Sequence, residues 1–166
     1  ADGGTSLDDW AVGGALFENT VSQGRLAQRT SKIKGILWHQ GESDCSPEKA
    51  EKYQEKFSEI INALRQELNI PEVPLIIGGL GDFLPKGILG QYFTHYSLVN
   101  RELEDFARSH ENSFFVTAKG LDSNPDGIHF NAHSQRLLGI RYYQAYRDLK
   151  DIFDPIADEE NTLNTI

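Results

Sequence analysis

The sequence IKGILWHQGESD, residues 33–44, joins a short apolar run to a strongly polar one. An apolar segment of this length that stops at a polar cluster is typical of a buried parallel strand running into a loop. Two further apolar runs follow, at residues 75–77 and 114–116, and helical patterns separate them. This alternation of strands and helices predicts an α/β fold with a parallel sheet and crossover helices.

The helices are predicted from apolar residues that recur at three- and four-residue spacing. Ser46 is a suitable N-cap for a helix whose apolar stripe runs through residues 50–68. A second amphipathic helix is expected over about residues 92–108, and Asn131 is the expected N-cap of a last one. A weaker helical pattern covers residues 15–29.

Length and composition fit one soluble domain. The chain has 166 residues, of which 39% are hydrophobic and 25% charged, so we expect a single domain over residues 1–153 and an acidic tail over 154–166. A net charge of -9 argues against nucleic acid or an anionic membrane surface as partner, because both attract clustered Lys and Arg. No run approaches the roughly 20 apolar residues of a membrane span. No targeting pattern distinguishes a cytoplasmic from a secreted protein.

Two polar clusters fall where loops should meet the carboxyl-terminal ends of the strands, the usual ligand position in such sheets. The glycine-rich loop at residues 3–6 could bring backbone N–H groups close to a ligand oxygen, although a plain tight turn has the same composition. In residues 39–44, the Gln40 amide could donate to an oxyanion and Glu42 could accept from an imidazole. A capped turn before the Ser46 helix is the alternative interpretation.

A third cluster is the loop Asp126-Gly127-Ile128-His129. A carboxylate three residues before an imidazole can fold back to accept its Nδ1–H, which leaves Nε2 free to take a proton from a nucleophile. A turn Asp beside a surface His is equally compatible with these residues taken alone. The chemical interpretation therefore depends on the combination of the three clusters.

A metal-dependent hydrolase is a further alternative. His129 and His133 are four residues apart, and Glu42, Asp44 and Asp126 could complete a ligand set. His133 fits equally well in the first turn of the last helix, so we expect neither a metal nor another cofactor. Because Cys45 is the only cysteine, the chain cannot form an internal disulfide.

The three clusters, in this order and spacing, resemble the SGNH/GDSL hydrolase superfamily, and within it the sialate O-acetylesterase and acetylxylan esterase branch, carbohydrate esterase family 6. The matching strings are GGTSLDDW at residues 3–10, GILWHQGESD at 35–44 and DGIHFN at 126–131. The resemblance extends from Gly3 to about Tyr146. It implies a three-layer α/β/α sandwich around a parallel sheet of about five strands.

The resemblance also implies roles for individual residues. It makes His129 the general base and Asp126 the carboxylate that orients it. Glu42 belongs to the string that in relatives lies against the catalytic His, so the choice between Asp126 and Glu42 as triad acid stays open. Oxyanion and substrate-binding groups are expected from Gly3, Gly4, Thr5, Gln40 and Gly41.

The nucleophile of the resembled family is a Ser in a Gly-Gln-Ser-Asn-like string after the first strand, and no such string occurs here. Ser6 and Ser43 do not lie in a sharp strand-to-helix turn flanked by glycines. We therefore expect the nucleophile and the first strand to lie upstream, and these 166 residues alone to be inactive.

The predicted function is serine-type O-acetyl ester hydrolysis on acetylated xylan, sialate or a related glycan. The predicted partner is thus an acetylated carbohydrate. A non-catalytic carbohydrate-binding or scaffold protein that keeps the esterase fold is the alternative, because the nucleophile string is absent.

Overall fold

The centre of the fold is a parallel sheet of three strands in a computed structural model that describes residues 3–150. The strands are β1 (Ile36–Trp38), β2 (Leu75–Gly78) and β3 (Ser113–Val116), and they lie in the order β1-β2-β3. The parallel sheet expected from the apolar runs is confirmed. Three of the roughly five strands that the resemblance implies lie within the described part of the chain.

Five α-helices accompany these strands in residues 3–150: α1 (Ala15–Ala27), α2 (Pro47–Ala50), α3 (Tyr53–Glu67), α4 (Tyr96–Ser109) and α5 (Ala132–Leu149). The single helix expected after Ser46 is interrupted between α2 and α3. The helix expected from residue 92 begins only at Tyr96. Asn131 caps α5 as predicted, because its side-chain oxygen accepts a hydrogen bond from Ser134 N at 2.8 Å.

Helices cover both faces of the sheet. Successive side chains of a strand point to opposite faces, and in β2 Leu75 and Ile77 join a core formed with α1, α3 and α4. Ile76 faces the other way and packs in a second core that includes Leu138 and Ala145 of α5. The arrangement is the predicted three-layer α/β/α sandwich, and it leaves β2 buried along its whole length.

An aromatic cluster lies under the end of β1. The Phe57 ring is 5.2 Å from Trp38 and 4.8 Å from Phe106, both in edge-to-face contact, and it stacks on Tyr53 at 6.2 Å. Phe57 and Tyr53 are fully buried. Aromatic pairs at these distances stabilise each other beyond the effect of burial, so this cluster fixes the point where the polar loop after β1 begins.

Among the described residues, β1 is paired on one side only, and Leu37 in its middle is 67% exposed. No helix in residues 3–150 has the length and apolar character needed to span a membrane. The acidic tail predicted at residues 154–166 lies outside the described residues, so its boundary stays a prediction.

Candidate active site

Three loops meet beyond the carboxyl-terminal ends of the strands. The loop after β1 contacts the glycine-rich loop directly, since Gln40 Nε2 donates to Thr5 O at 2.8 Å and Ser43 Oγ donates to Gly4 O at 2.9 Å. The loop at residues 126–129 adjoins the loop after β1, because the rings of His39 and Phe130 lie with their centroids 5.5 Å apart. The structure therefore brings together the three clusters that the sequence singled out.

The third loop holds a carboxylate–imidazole pair. Asp126 Oδ1 accepts hydrogen bonds from the backbone N–H of Ile128 at 2.8 Å and of His129 at 3.0 Å, and Asp126 Oδ2 lies 2.9 Å from His129 Nδ1. The His129 side chain is 72% exposed, and within residues 3–150 its Nε2 has no hydrogen-bond partner. Asp126 thus orients the ring so that Nε2 faces solvent, where it can exchange a proton with a bound molecule.

The hydrogen bonds of this loop favour the charged form of the Asp126 carboxylate. They lower the pKa of Asp126 to about 2, chiefly through the backbone N–H groups of Ile128 and His129 and then through the imidazole. Because the pKa is depressed in the folded protein, the stabilisation is complete above the unfolded value of about 3.9 and is lost as the pH falls toward 2.

We therefore expect the Asp126 carboxyl carbon to titrate near pH 2 in a 13C NMR experiment. In an Ile128→Pro variant, which lacks the first of the backbone donors, the midpoint should rise toward about 3.9. A midpoint of about 4 in the unmodified protein would mean that the hydrogen bonds of this loop do not form in solution.

The Glu42 carboxylate lies beside His39. Its Oε1 lies 3.8 Å from His39 Nε2, and within residues 3–150 the carboxylate in contact with His129 is that of Asp126. Glu42 thus lies beside His39, and Asp126 lies beside His129. Glu42 is placed to act on His39, one residue beyond the end of β1.

The Gln40 side chain is fully engaged inside the protein. Its amide nitrogen donates to Thr5 O at 2.8 Å and to Asp44 Oδ2 at 2.7 Å, while its oxygen accepts from the Tyr53 hydroxyl at 2.9 Å. An oxyanion could therefore accept a hydrogen bond from Gln40 only by replacing one of these acceptors. In this structure the side chain holds the glycine-rich loop in place.

Asp44 is a site residue that the sequence analysis assigned only to the metal alternative. It is almost fully buried and accepts from the Gln40 amide and from Leu7 N, the latter at 3.1 Å. Burial raises its pKa, and the hydrogen bonds from Gln40 and Leu7 oppose that shift. The four-residue spacing between Gln40 and Asp44 could have indicated their contact. Nothing in the sequence indicates the Leu7 partner, which is 37 residues away.

Gly41 is required by packing. Its φ is +152°, and a Cβ at this position would lie 2.9 Å from a methyl carbon of Val99 and 3.2 Å from Leu80. A larger residue would therefore displace the loop from the core. The predicted contribution of Gly41 to substrate binding stays a prediction.

The two serines considered as nucleophiles both have internal partners. Ser6 is buried and its Oγ donates to Asp9 at 3.0 Å, whereas Ser43 Oγ donates to the glycine-rich loop. Cys45 is also buried, and burial raises the pKa of its thiol to about 12, which makes it a poor nucleophile at neutral pH. No three His, Cys, Asp or Glu side chains in residues 3–150 gather as metal ligands, so the metal alternative has no ligand set there.

Comparison with known proteins places this geometry in a family context. The family model described as carbohydrate esterase, sialic acid-specific acetylesterase, matches residues 1–148. An Arabidopsis thaliana protein named as a probable carbohydrate esterase is 32% identical over 151 residues, which cover 88% of this chain and 53% of that relative.

The X-ray structure of that Arabidopsis protein resembles the present one with a TM-score of 0.77 at 30% identity, over 88% of this chain and 58% of the other. The chain therefore spans about half the length of the relative that it matches.

Proposed function

Because the chain belongs to the sialic acid-specific acetylesterase family of carbohydrate esterases, we propose that it supplies the acid–base machinery of a serine-type carbohydrate O-acetylesterase. The observation that carries the proposal is the 2.9 Å contact between Asp126 and His129, with Nε2 directed to solvent. This pair lies at the same end of the strands as the glycine-rich loop.

In the proposed reaction, a serine oxygen attacks the acetyl carbonyl while His129 Nε2 takes the serine proton. Asp126 stabilises the resulting imidazolium, which then passes the proton to the departing sugar oxygen. Water attacks the acetyl-serine with His129 again as base, which releases acetate and regenerates the serine. The glycine-rich loop at residues 3–6 would stabilise the oxyanion through backbone N–H groups.

The nucleophilic serine in this proposal is supplied from outside the 166 residues. Ser6 and Ser43 have internal hydrogen-bond partners, and neither contacts His129. Experiments on activity therefore use the full-length product of the gene that encodes this chain.

The proposed substrate is an acetylated xylan, a sialate or a related glycan. A net charge of -9 disfavours strongly anionic polymers and fits neutral or modestly charged substrates. Hydrolysis of p-nitrophenyl acetate by the full-length gene product tests the activity without assuming which glycan is natural. Glycan binding without any such hydrolysis would support the non-catalytic alternative instead.

A pair of matched variants tests which carboxylate orients the base. In Asp126→Asn, the side-chain oxygen can still accept from the backbone, but an NH2 group faces His129 Nδ1 and favours the tautomer with a protonated Nε2. That tautomer cannot accept a proton, so we expect kcat for p-nitrophenyl acetate to fall at least about tenfold. Glu42→Gln, which changes a carboxylate beside His39, should leave kcat within about twofold. The reverse order of effects would assign the role to Glu42.

A further inference from the structure

The loop after β2, residues 82–92, is packed against the loop that carries the Asp126–His129 pair. A Cβ on Gly127 would lie 2.9 Å from Gly87 Cα, and Gly127 has a φ of +72°, so only glycine permits this close approach. The Phe83 ring also meets the Phe130 ring edge-to-face at 5.0 Å. Two separate contacts therefore hold the 82–92 loop beside His129.

The loop is also ordered from within. Consecutive tight turns are closed by backbone hydrogen bonds of 2.9 Å from Lys86 N to Phe83 O, from Gly90 N to Gly87 O and from Tyr92 N to Leu89 O. Leu84 is buried in the core. The loop is thus held by contacts within the protein.

Apolar side chains nevertheless project outward from this fixed loop. Ile88 is 88% exposed, Tyr92 63% and Leu89 41%, and the turn from Gly87 to Gly90 has Ile88 and Leu89 at its two central positions. Seven large apolar side chains are exposed in residues 3–150, and these three fall within five consecutive positions. Single exposed apolar residues are common, but a cluster beside a candidate site marks an interaction surface.

We propose that Ile88, Leu89 and Tyr92 form a sugar-contact surface that binds the glycan chain next to the acetylated unit. This inference rests on the proposed function. A pyranose ring has an apolar face of C–H groups and a rim of hydroxyls, and Tyr offers a matching flat body with a polar tip. Carbohydrate and other small-ligand sites combine such apolar surface with a few polar groups, here those of Asp126 and His129.

The size of the surface favours a glycan over a protein partner. A stable protein interface buries about 800 Å² on each partner, whereas this surface consists of three side chains on one loop. The loop that carries it packs against the loop of the Asp126–His129 pair at Gly87 and Gly127. A chain of sugar units extending from the acetyl ester would reach it, and a small ester such as p-nitrophenyl acetate would not.

The test compares a glycan substrate with a small ester. In the full-length gene product, Tyr92→Ala and Ile88→Ser should each lower kcat/KM for acetylated xylo-oligosaccharides by about fivefold to tenfold, as for truncated contact residues elsewhere. Both variants should hydrolyse p-nitrophenyl acetate at the unchanged rate. Leu26→Ser is the matched control, because Leu26 is a 53% exposed residue on α1, next to Arg25, whose side chain pairs with Glu67 at the end of α3.

Direct binding separates this inference from the proposed function. The affinity for acetylated xylohexaose, measured by calorimetry, should fall in Tyr92→Ala whether or not ester is turned over. If no ester is hydrolysed but this affinity falls, the proposed function fails and the sugar-contact surface stands. If p-nitrophenyl acetate is hydrolysed but the variants match the unmodified protein in oligosaccharide turnover and affinity, the surface is rejected. Absence of oligosaccharide binding, or equal losses on both substrates, would also reject it.

Discussion

The His129→Ala substitution should lower kcat for p-nitrophenyl acetate by about 10²- to 10⁴-fold in the full-length gene product, the range typical of a lost proton-transfer group. His129 Nε2 is the group that the Asp126 contact leaves directed to solvent. Alanine removes the proton acceptor. The serine would then have to lose its proton to water, which is a far weaker base.

His133→Ala is the control for this prediction. His133 is an exposed histidine in the first turn of α5, four residues after His129, and its loss removes the same volume and the same titratable group type. Its kcat should stay within about twofold of the unmodified enzyme, as for a surface substitution. Undiminished hydrolysis by His129→Ala, or equal losses in both variants, would reject His129 as the base.

The Phe57→Ala substitution should lower the free energy of unfolding by about 3–5 kcal/mol, the usual effect of removing a buried Phe ring. Phe57 is fully buried and contacts Trp38, Phe106 and Tyr53 at once. The cavity would lie beneath the point where β1 passes into the loop of Gln40 and Asp44. Urea denaturation of the two proteins measures the difference.

Phe114→Ala makes the same chemical change on the surface. Phe114 lies on β3 and is 41% exposed, so its removal should cost about 1 kcal/mol or less. Equal losses of stability in the two variants would show that the aromatic cluster under β1 is not the tightly packed core described above.

The strands were predictable because each of them is a short continuous apolar run in the sequence, the pattern of parallel strands, although only β2 is buried along its whole length. The residues at which the strands begin and end were harder to predict. The first run begins at residue 33, yet β1 begins at Ile36, where pairing with Leu75 starts. The break between α2 and α3 was not foreseen either, because the apolar stripe continues across it and side-chain periodicity carries no information about a local change of the backbone.

In the candidate site, the local contact was predictable and the long-range ones were not. Asp126 and His129 are three residues apart, so a single turn can join them. Gln40, in contrast, was expected to donate to a ligand, and the structure uses its amide on Thr5, 35 residues away. Sequence spacing does not reveal such tertiary partners, and the same limit hid the role of Asp44.

Residues 82–92 illustrate a third case. Residues 82–91 follow the glycine-rich turn that begins at residue 78, and the sequence predicts a surface loop there; the structure has no strand or α-helix in this segment. That this loop lies against Gly127, with Ile88 exposed beside the Asp126–His129 pair, depends on how β2 and α5 pack. Exposure of an apolar side chain at a site is a tertiary property that the sequence does not specify.

The central claim is that the Asp126–His129 pair serves the hydrolysis of acetyl esters on a carbohydrate. It is tested most directly by quantifying acetate released from acetylated xylan and from an O-acetylated sialoside by the full-length gene product, beside its His129→Ala variant. We predict acetate release from at least one substrate by the unmodified protein, and release that is about 10²- to 10⁴-fold slower by the variant. Acetate release that is the same with and without the folded protein on both substrates would contradict the account.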